Sequence, residues 1–294
     1  MSEWDVLDGD RHPMAEAVGP FPHRPFLETW WRHRGAGSLA VVSHGSSAAA
    51  VVTLGDTMAF AGDEEVTDYH APLGPDPGGV AAAAVASATA GTRFHFDSMP
   101  GEVAQLVAAA LGSAGIDVAT RQHEAAMVLD LSAADPLSAL ASKQRHEVRR
   151  KVRRFSEALG EPRLVGGAGG FDAFVAMHRM ADGDKGGFMT EATEEFFRDL
   201  LVIPGAVMDL LLTGAGDPVA ATFGFVDEGA YYLYNSSFDP GAAAVSPGIV
   251  ILKLLIERES EAGRRRFDLL KGDDPYKHRL GARPRALFSV EGVV

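Results

Sequence analysis

Short apolar runs separated by turn residues fill much of the first half of the chain. Runs of this length with Gly, Ser and Asp between them are typical of antiparallel strands in a meander. Two alanine-rich stretches predict helices, because alanine has the highest helix propensity. The predicted strands are 39–43, 49–54, 57–61 and 126–131, and the predicted helices are 80–90 and 102–113.

Residues 142–159 carry a clear helical pattern. Apolar residues recur there at helical spacing from Val148 to Leu159 and therefore form one stripe along a helix. Ser142 is the predicted N-cap, because its hydroxyl can accept a hydrogen bond from an unpaired backbone N–H. Gly160 is the predicted end of the helix.

The second half alternates strands and helices with sharper boundaries. The turns GAGDP and DEG join three strands into a second predicted meander. A helix and a strand follow, which predicts a right-handed crossover to a parallel strand. The predicted strands are 163–165, 207–213, 219–226, 230–236 and 266–270; the predicted helices are 171–181, 191–202 and 249–262, with a polar loop at 182–189. We therefore predict an α/β protein with two domains, residues 1–140 and residues 141–294.

The amino-acid composition limits the kinds of site and partner that the protein can have. A chain without cysteine forms no disulfide, thiolate metal site or cysteinyl thioester. The ten histidines are dispersed, without a pair at metal-ligand spacing near a carboxylate, so we predict no metal site. A net charge of −13 disfavours DNA and anionic membranes as partners. No apolar stretch reaches the roughly 18 residues of a membrane span and no leader pattern opens the chain, which predicts a cytoplasmic protein.

The predicted helix at 142–159 is strongly basic despite the acidic total. Seven basic residues lie between Lys143 and Arg154, with Glu147 as the single acid among them. Like charges four residues apart cost an isolated helix about 0.2–0.5 kcal/mol per pair. The helix therefore requires anions nearby, which are either acids of the protein itself or phosphates of a ligand.

Ser246, Pro247 and Gly248 open the helix predicted from Ile249. Serine is a good N-cap, and proline is favoured at the first helical position. The three residues therefore fit an ordinary helix start. Most helix starts of this kind bind no ligand, but the three residues also fit an anion site, in which the N–H groups of Gly248, Ile249 and Val250 bind a pyrophosphate at the positive end of the helix dipole.

A loop rich in polar residues follows the last predicted strand. Residues 269–284, LLKGDDPYKHRLGARP, combine glycine, acids, a tyrosine and several bases. Ligands in open α/β sheets bind at the ends of parallel strands. A charged loop with glycine and proline is also common on ordinary surfaces, so both interpretations stay open here.

Three segments in order, SKQRHEVRRKVRR, YYLYNSSFDPGAAAVSPGIVILKLLIERESEAG and FDLLKGDDPYKHRLGA, carry a family likeness, and FLETWW and TDYHAPLG extend it into the first half. Together they resemble the CelD-like proteins of the GNAT superfamily, which are relatives of the Fem-type aminoacyltransferases. The resemblance implies two GNAT-like folds in tandem, each a mixed, mostly antiparallel sheet flanked by helices. It implies that the first is degenerate and that the second keeps the donor site.

The resemblance also implies which molecule donates the acyl group. In GNAT proteins the loop between the fourth strand and the next helix wraps the pyrophosphate of acyl-CoA, through glutamine or arginine followed by glycines. Ser246, Pro247, Gly248 and Ile249 stand at that place here, with a degenerate glycine pattern. The expected co-substrate is acetyl-CoA or another acyl-CoA, and the Fem likeness makes aminoacyl-tRNA the alternative.

The implied reaction is direct attack of an amine on the acyl carbonyl in a ternary complex, since the chain has no cysteine nucleophile. Backbone N–H groups around Asn235, Ser236 and Ser237 are expected to hold the oxyanion. Tyr276 is the first candidate for protonating the leaving thiolate, and Tyr234 is the second. The carboxylates considered for deprotonating the amine are Asp239, Asp268, Asp273 and Asp274.

The acceptor is expected to be an amine on a small molecule or a polymer. Lys277 and Arg279 are predicted to hold phosphate or a substrate carboxylate. The loop GDKGG, which contains Lys185, and the acid Asp239 are predicted to contact the acceptor. A third interpretation is a non-catalytic accessory protein of envelope or polysaccharide biosynthesis, which the degenerate phosphate loop would fit.

Overall fold

A computed structural model describes most of the 294-residue chain. The described residues are 3–8, 11–133, 136–138, 140–181 and 183–294, with the backbone alone described at 168, 184 and 185. The strands are β1 (Ser38–His44), β2 (Ser47–Leu54), β3 (Thr57–Phe60), β4 (Arg93–Pro100), β5 (Val118–Asp130), β6 (Arg163–Gly166), β7 (Ala206–Leu212), β8 (Pro218–Val226), β9 (Ala230–Phe238), β10 (Arg266–Lys271) and β11 (Arg283–Val293). The helices are α1 (Arg24–Arg34), α2 (Pro77–Ala86), α3 (Gly101–Ser113), α4 (Ser142–Leu159), α5 (Phe171–Arg179), α6 (Asp184–Phe188), α7 (Glu191–Leu200), α8 (Pro247–Glu261) and α9 (Pro275–Arg279).

The chain folds into two compact units. The first consists of Met1–Ala126 and Arg285–Val294, and the second consists of Met127–Pro284. The division lies inside β5 rather than at the predicted position between residues 140 and 141. The predicted second domain also included the C-terminal residues, whose contacts belong to the first unit because β11 pairs with β4.

Strands of the first unit lie in the order β1-β2-β3-β4-β11. The predicted antiparallel meander of β1, β2 and β3 is confirmed. β4 is parallel to β3 and antiparallel to β11, with His95 opposite Glu291. Neither β4 nor β11 was predicted. The alternation of buried phenylalanines with His95 and Asp97 in β4 is a strand pattern and was a signal that could have found it, whereas β11 begins with arginine and proline, which are less usual in strands.

Strands of the second unit lie in the order β10-β9-β8-β7-β6. The predicted meander of β7, β8 and β9 and the predicted parallel strand β10 are both confirmed. β9 carries a bulge at Tyr234, since Asn235 pairs with Phe223 while Leu233 pairs with Gly224. The stretch predicted as a polar loop at 182–189 contains α6, and residue 182 lies outside the described residues.

Helix α4 has the predicted bounds. Val148 and Phe155 of its apolar stripe are buried in the core of the second unit, and Val152 packs against that core. The predicted N-cap is wrong: Ser142 is the first helical residue, and the N–H of Ala141 before it donates to the Gln144 side chain at 3.1 Å. None of the described helices has both the length and the apolar character that a bilayer crossing requires.

Candidate active site

The candidate site is centred on the point where β9 and β10 stop pairing with each other. The two strands are parallel from the pair Ala230 and Arg266 to the pair Tyr232 and Asp268. β9 then continues to Phe238 without further pairing to β10, and the bulge at Tyr234 falls in this part. An unpaired strand edge presents backbone N–H and C=O groups, and bulges are frequent beside active sites. A ligand can therefore hydrogen-bond to β9 here.

The residues expected to form an oxyanion hole are largely engaged with the protein itself. The Asn235 side-chain oxygen accepts hydrogen bonds from Nε2 of His178 at 2.7 Å and from the N–H of Ser236 at 2.7 Å. The hydroxyl of Ser237 donates to the carbonyl of Phe174 at 3.0 Å. The N–H of Ser236 therefore already has an acceptor, which corrects the expectation that it is open to an acyl oxygen.

His178 is a site residue that the sequence analysis missed. Its ring is buried on α5, packs edge-on against Phe174 with centroids 4.7 Å apart, and reaches β9 through Asn235. A signal was present in the sequence, since His178 continues the apolar stripe of Phe171 and Phe174 at helical spacing. A polar side chain on such a stripe needs a buried partner, and Asn235 supplies it.

The start of α8 lies at Pro247, but Ser246 does not cap it. Ser246 has a left-handed backbone, with φ 56° and ψ 51°, and its side chain makes no capping hydrogen bond. Its carbonyl oxygen accepts the N–H groups of Ile249 at 3.0 Å and Val250 at 3.2 Å. Two of the three amides predicted to bind a phosphate are thus hydrogen-bonded within the protein, and the role of Gly248 stays a prediction.

Lys151 brings a positive charge from α4 to this helix start. Its Nζ donates to the hydroxyl of Ser246 at 3.0 Å, across 95 residues of sequence. Other bases of α4 contact α4 itself or the segment before it: Arg150 pairs with Glu147, and Arg145 donates to the carbonyl of Leu140. Lys151 therefore adds a cation where the helix dipole is already positive.

The end of β9 lies close to the same helix start. A Cβ atom built on Gly248 would lie 3.6 Å from the ring of Phe238, the last residue of β9. The first helical residues have N–H groups without an acceptor inside the helix. The N–H of Gly248, the ammonium of Lys151 and the end of β9 beyond its pairing with β10 therefore belong to one region of the second unit.

Lys277 and Asp268 hold the turn after β10. Lys277 is buried, and its ammonium donates to the carbonyl oxygens of Leu270 at 3.2 Å and Lys271 at 2.5 Å. The carboxylate of Asp268, also buried, accepts the N–H of Leu270 at 2.8 Å. Leu270 has a positive φ of 58°, which is unfavourable for leucine and is stabilised by these contacts. The ammonium of Lys277 is thus bonded to the protein itself, and its predicted binding of phosphate or a substrate carboxylate stays a prediction.

Tyr276 follows on α9 and is half-buried against the core of the second unit. Burial, with a smaller contribution from the negative charge of Asp274, raises the pKa of Tyr276 to about 12. A phenol with this pKa stays protonated at neutral pH and can act as a proton donor. Tyr234, the second candidate, packs its ring against Phe197 and Phe225 at centroid distances of 5.3 and 5.2 Å.

The remaining predicted site residues are spread over the loops of the second unit. Asp239 accepts the N–H of Gly241 at 2.8 Å and so stabilises the turn before α8. Asp273 pairs with His278, Asp274 lies 3.8 Å from Nζ of Lys277, and Arg279 is exposed. The side chain of Lys185 lies outside the described residues, so its predicted contact with the acceptor stays a prediction.

A cavity of about 430 Å³ in the second unit lies beside β7 and the C-terminal end of α8. Its charged groups are paired with one another: Arg258 makes two hydrogen bonds to the buried Asp209, at 2.5 and 2.9 Å, and contacts Glu259 at 2.7 Å. Paired charges of this kind are typical of a structural network. We therefore centre the candidate site on β9 and the start of α8.

Residues 142–278, from the first residue of α4 into α9, match the family model described as an acetyltransferase (GNAT) domain. The chain has a GNAT-related fold. The match contains Lys151, Ser246 and Tyr276, so the candidate site lies inside the part of the chain that the family model covers. No curated protein matches the chain in sequence.

Solved structures extend the likeness of fold over both units. FemX matches with a TM-score of 0.64 and 10% identity, over 99% of this chain and 95% of its own. The structure of L-PGS from Bacillus licheniformis matches with a TM-score of 0.59 and 14% identity, over 94% and 93%. A conserved protein of unknown function from Bacteroides thetaiotaomicron matches with a TM-score of 0.65 and 12% identity, over 100% and 98%. Identities this low establish the fold alone.

Proposed function

We propose that the protein is an N-acyltransferase that moves an acyl group, acetyl in the first instance, from acyl-CoA to an amine. The observation that carries the proposal is the ammonium of Lys151 at the start of α8, next to the end of β9 that extends beyond its pairing with β10. A pyrophosphate there would meet a charge-assisted hydrogen bond, the N–H of Gly248 and the positive end of the helix dipole. The acyl-pantetheine arm would then extend along β9.

The proposed reaction proceeds by direct attack. The amine adds to the acyl carbonyl, the oxyanion is held by N–H groups of β9 near the bulge at Tyr234, and the carbon–sulfur bond then breaks. Tyr276 gives its proton to the leaving thiolate. Asp274 is exposed beside Tyr276 and accepts the proton of the amine through water, whereas Asp268 is buried and hydrogen-bonded to Leu270.

Acetyl-CoA binding tests the proposal at its first step. At about 100 times Kd, acetyl-CoA should raise the free energy of unfolding by about 2.7 kcal/mol, measured by thermal denaturation. CoA should also stabilise the protein, and acetate should not. Release of free thiol from acetyl-CoA should require an added amine. Unchanged melting with millimolar acetyl-CoA would rule out an acyl-CoA donor.

An aminoacyl-tRNA donor is the second candidate. It is favoured by the exposed bases Lys143, Arg149 and Arg154 on α4, which extend the positive charge beyond Lys151. The fold is shared with FemX and L-PGS, and the likeness to Fem-type aminoacyltransferases also favours an aminoacyl-tRNA donor. This function predicts RNA that co-purifies with the protein and an affinity for tRNA that falls steeply with salt. A protein that binds neither donor would fit the non-catalytic interpretation.

Replacing Tyr276 by phenylalanine should lower kcat at least tenfold with little change in the KM of acetyl-CoA, because the ring stays and only the proton donor is lost. Tyr232→Phe is the matched control, because the Tyr232 hydroxyl donates to Asp227, and it should keep kcat within about twofold. Equal kcat for Tyr276→Phe and the unsubstituted protein would remove Tyr276 from the mechanism.

The same substitution has a consequence at high pH. Because folding raises the pKa of Tyr276 from 10 to about 12, its neutral phenol stabilises the fold fully below pH 10. That contribution is lost as the pH rises towards 12. Urea unfolding between these pH values should therefore show a smaller loss of stability in Tyr276→Phe than in the unsubstituted protein.

A further inference from the structure

A cluster of histidines and carboxylates lies in the first unit. His95 and Asp97 are two residues apart on β4 and therefore share one face of the strand, and Glu64 comes from the segment after β3. One ligand-type atom of each lies within 4.8 Å of the others. Nε2 of His95 is 3.8 Å from Oε1 of Glu64 and 3.9 Å from Oδ2 of Asp97. These separations are too long for hydrogen bonds.

His123 of β5 faces the same group. Its Nε2 lies 3.7 Å from the Glu64 oxygen that also faces His95. This nitrogen is buried and has no hydrogen-bond partner within the described part of the chain. The two imidazole rings are nearly perpendicular, with centroids 6.4 Å apart. A buried imidazole nitrogen opposite a carboxylate, at more than hydrogen-bond distance, is an arrangement that a cation between them would satisfy.

Outer contacts orient His95 and Asp97. Glu291, opposite His95 on β11, places Oε1 3.5 Å from Nδ1 of His95, so Nε2 is the nitrogen directed at Glu64 and Asp97. Oδ1 of Asp97 accepts the hydroxyl of Ser98 at 2.5 Å and contacts Nδ1 of the buried His70 at 3.1 Å, while Oδ2 faces His95. In protein metal sites a carboxylate commonly holds the far nitrogen of a ligating histidine in this way.

We propose that Glu64, His95, Asp97 and His123 bind one divalent transition-metal ion, with Zn²⁺ as the first choice. Mixed imidazole and carboxylate ligands suit zinc, whereas magnesium and calcium prefer oxygen ligands alone. The ligand atoms of Glu64, His95 and Asp97 lie within 4.8 Å of one another, and Nε2 of His123 lies 3.7 Å from Glu64. Neighbouring ligand atoms around tetrahedral zinc are about 3.3 Å apart, so the side chains have to move closer together to bind the ion, and His123, outside this group of three, has to move farthest. Glu64 is 57% exposed and His95 is 36% exposed, so an ion can enter from solvent. The ion would join β4, β5 and the segment after β3.

Metal titration of the untagged, full-length protein tests the site. After removal of metal by a chelator, Co²⁺ should bind with a stoichiometry of one, give the visible absorption of a nitrogen and oxygen site, and be displaced by Zn²⁺. Zn²⁺ alone should raise Tm. His95→Gln and His123→Gln should each lower the affinity for Co²⁺ and Zn²⁺ at least tenfold. Glu64→Gln should do the same, and its exposure makes it the variant that folds most readily.

His44→Gln is the matched control. Nε2 of His44 also faces a carboxylate, at 3.6 Å from Oδ2 of Asp76, but this pair stands outside the cluster. The affinity of His44→Gln should equal that of the unsubstituted protein. The proposal is overturned if no saturable binding of Co²⁺ or Zn²⁺ is found, or if Glu64→Gln and His123→Gln bind as tightly as His44→Gln. Far-ultraviolet circular dichroism of the metal-free variants verifies that each is folded.

Discussion

Substitution of Lys151 by glutamate is expected to weaken binding of acetyl-CoA by at least tenfold and up to about a hundredfold. A hydrogen bond to a charged group contributes about 1.5–3 kcal/mol, and each 1.4 kcal/mol changes Kd tenfold. In this variant a carboxylate would stand beside Ser246 and repel the pyrophosphate from the start of α8. Lys151→Ala should give a smaller loss, because it removes the attraction without adding repulsion. Isothermal titration calorimetry at fixed ionic strength measures both.

Arg154→Glu is the matched control for this result. It makes the same change of charge on the same helix, at an exposed position outside the contact with Ser246. Its effect on acetyl-CoA should be small and should disappear at high salt, since exposed charges are screened. Equal losses in the two variants would show a general effect of charge and contradict a local site at α8. For a tRNA donor, both substitutions should weaken binding.

Truncation of Phe155 to alanine is expected to lower the free energy of unfolding by about 3–5 kcal/mol. The ring is fully buried in the core of the second unit, where it anchors α4. Removing it leaves a cavity that the closely packed neighbouring side chains can fill only in part. Urea denaturation measures the loss. Because Lys151 is one helical turn from Phe155, looser packing of α4 should also weaken acetyl-CoA binding under conditions in which the variant remains folded.

Arg154→Ala provides the comparison for stability, since it truncates the neighbouring exposed residue of α4. Its free energy of unfolding should stay within about 0.5 kcal/mol of the unsubstituted protein. A loss of less than about 1 kcal/mol in Phe155→Ala would mean that α4 is not anchored through this stripe, and the position of Lys151 would then need another explanation.

Local patterns account for the elements that the sequence analysis predicted well. The apolar spacing of α4 gave its bounds. The meanders followed from short turns between apolar runs. β11 was missed because a strand that pairs with β4 from the far end of the chain has no local signal.

The site itself stays a prediction, and the structure adds contacts of its residues that the sequence could not give. Pro247 begins α8 as predicted, yet the left-handed backbone of Ser246 turns its hydroxyl away from capping and towards Lys151. Lys277 has a side chain that can bind phosphate, but its buried ammonium donates hydrogen bonds to the backbone carbonyl oxygens of Leu270 and Lys271. Dispersal of the histidines predicted no metal site, and the proposed zinc ligands come together only because β4 and β5 bring residues from distant positions to Glu64.

By itself the sequence determined the order and type of most elements, the anchored basic helix and the start of α8, because helix and strand periodicity, turn chemistry and capping act within a few residues. Only the tertiary structure decided which of the many polar and charged side chains meet. Lys151 with Ser246, His178 with Asn235 and His95 with Glu291 are each joined across long stretches of chain. Hydrogen bonds and charge pairs form where folding places two groups within a few ångströms, and that proximity depends on the packing of the whole unit.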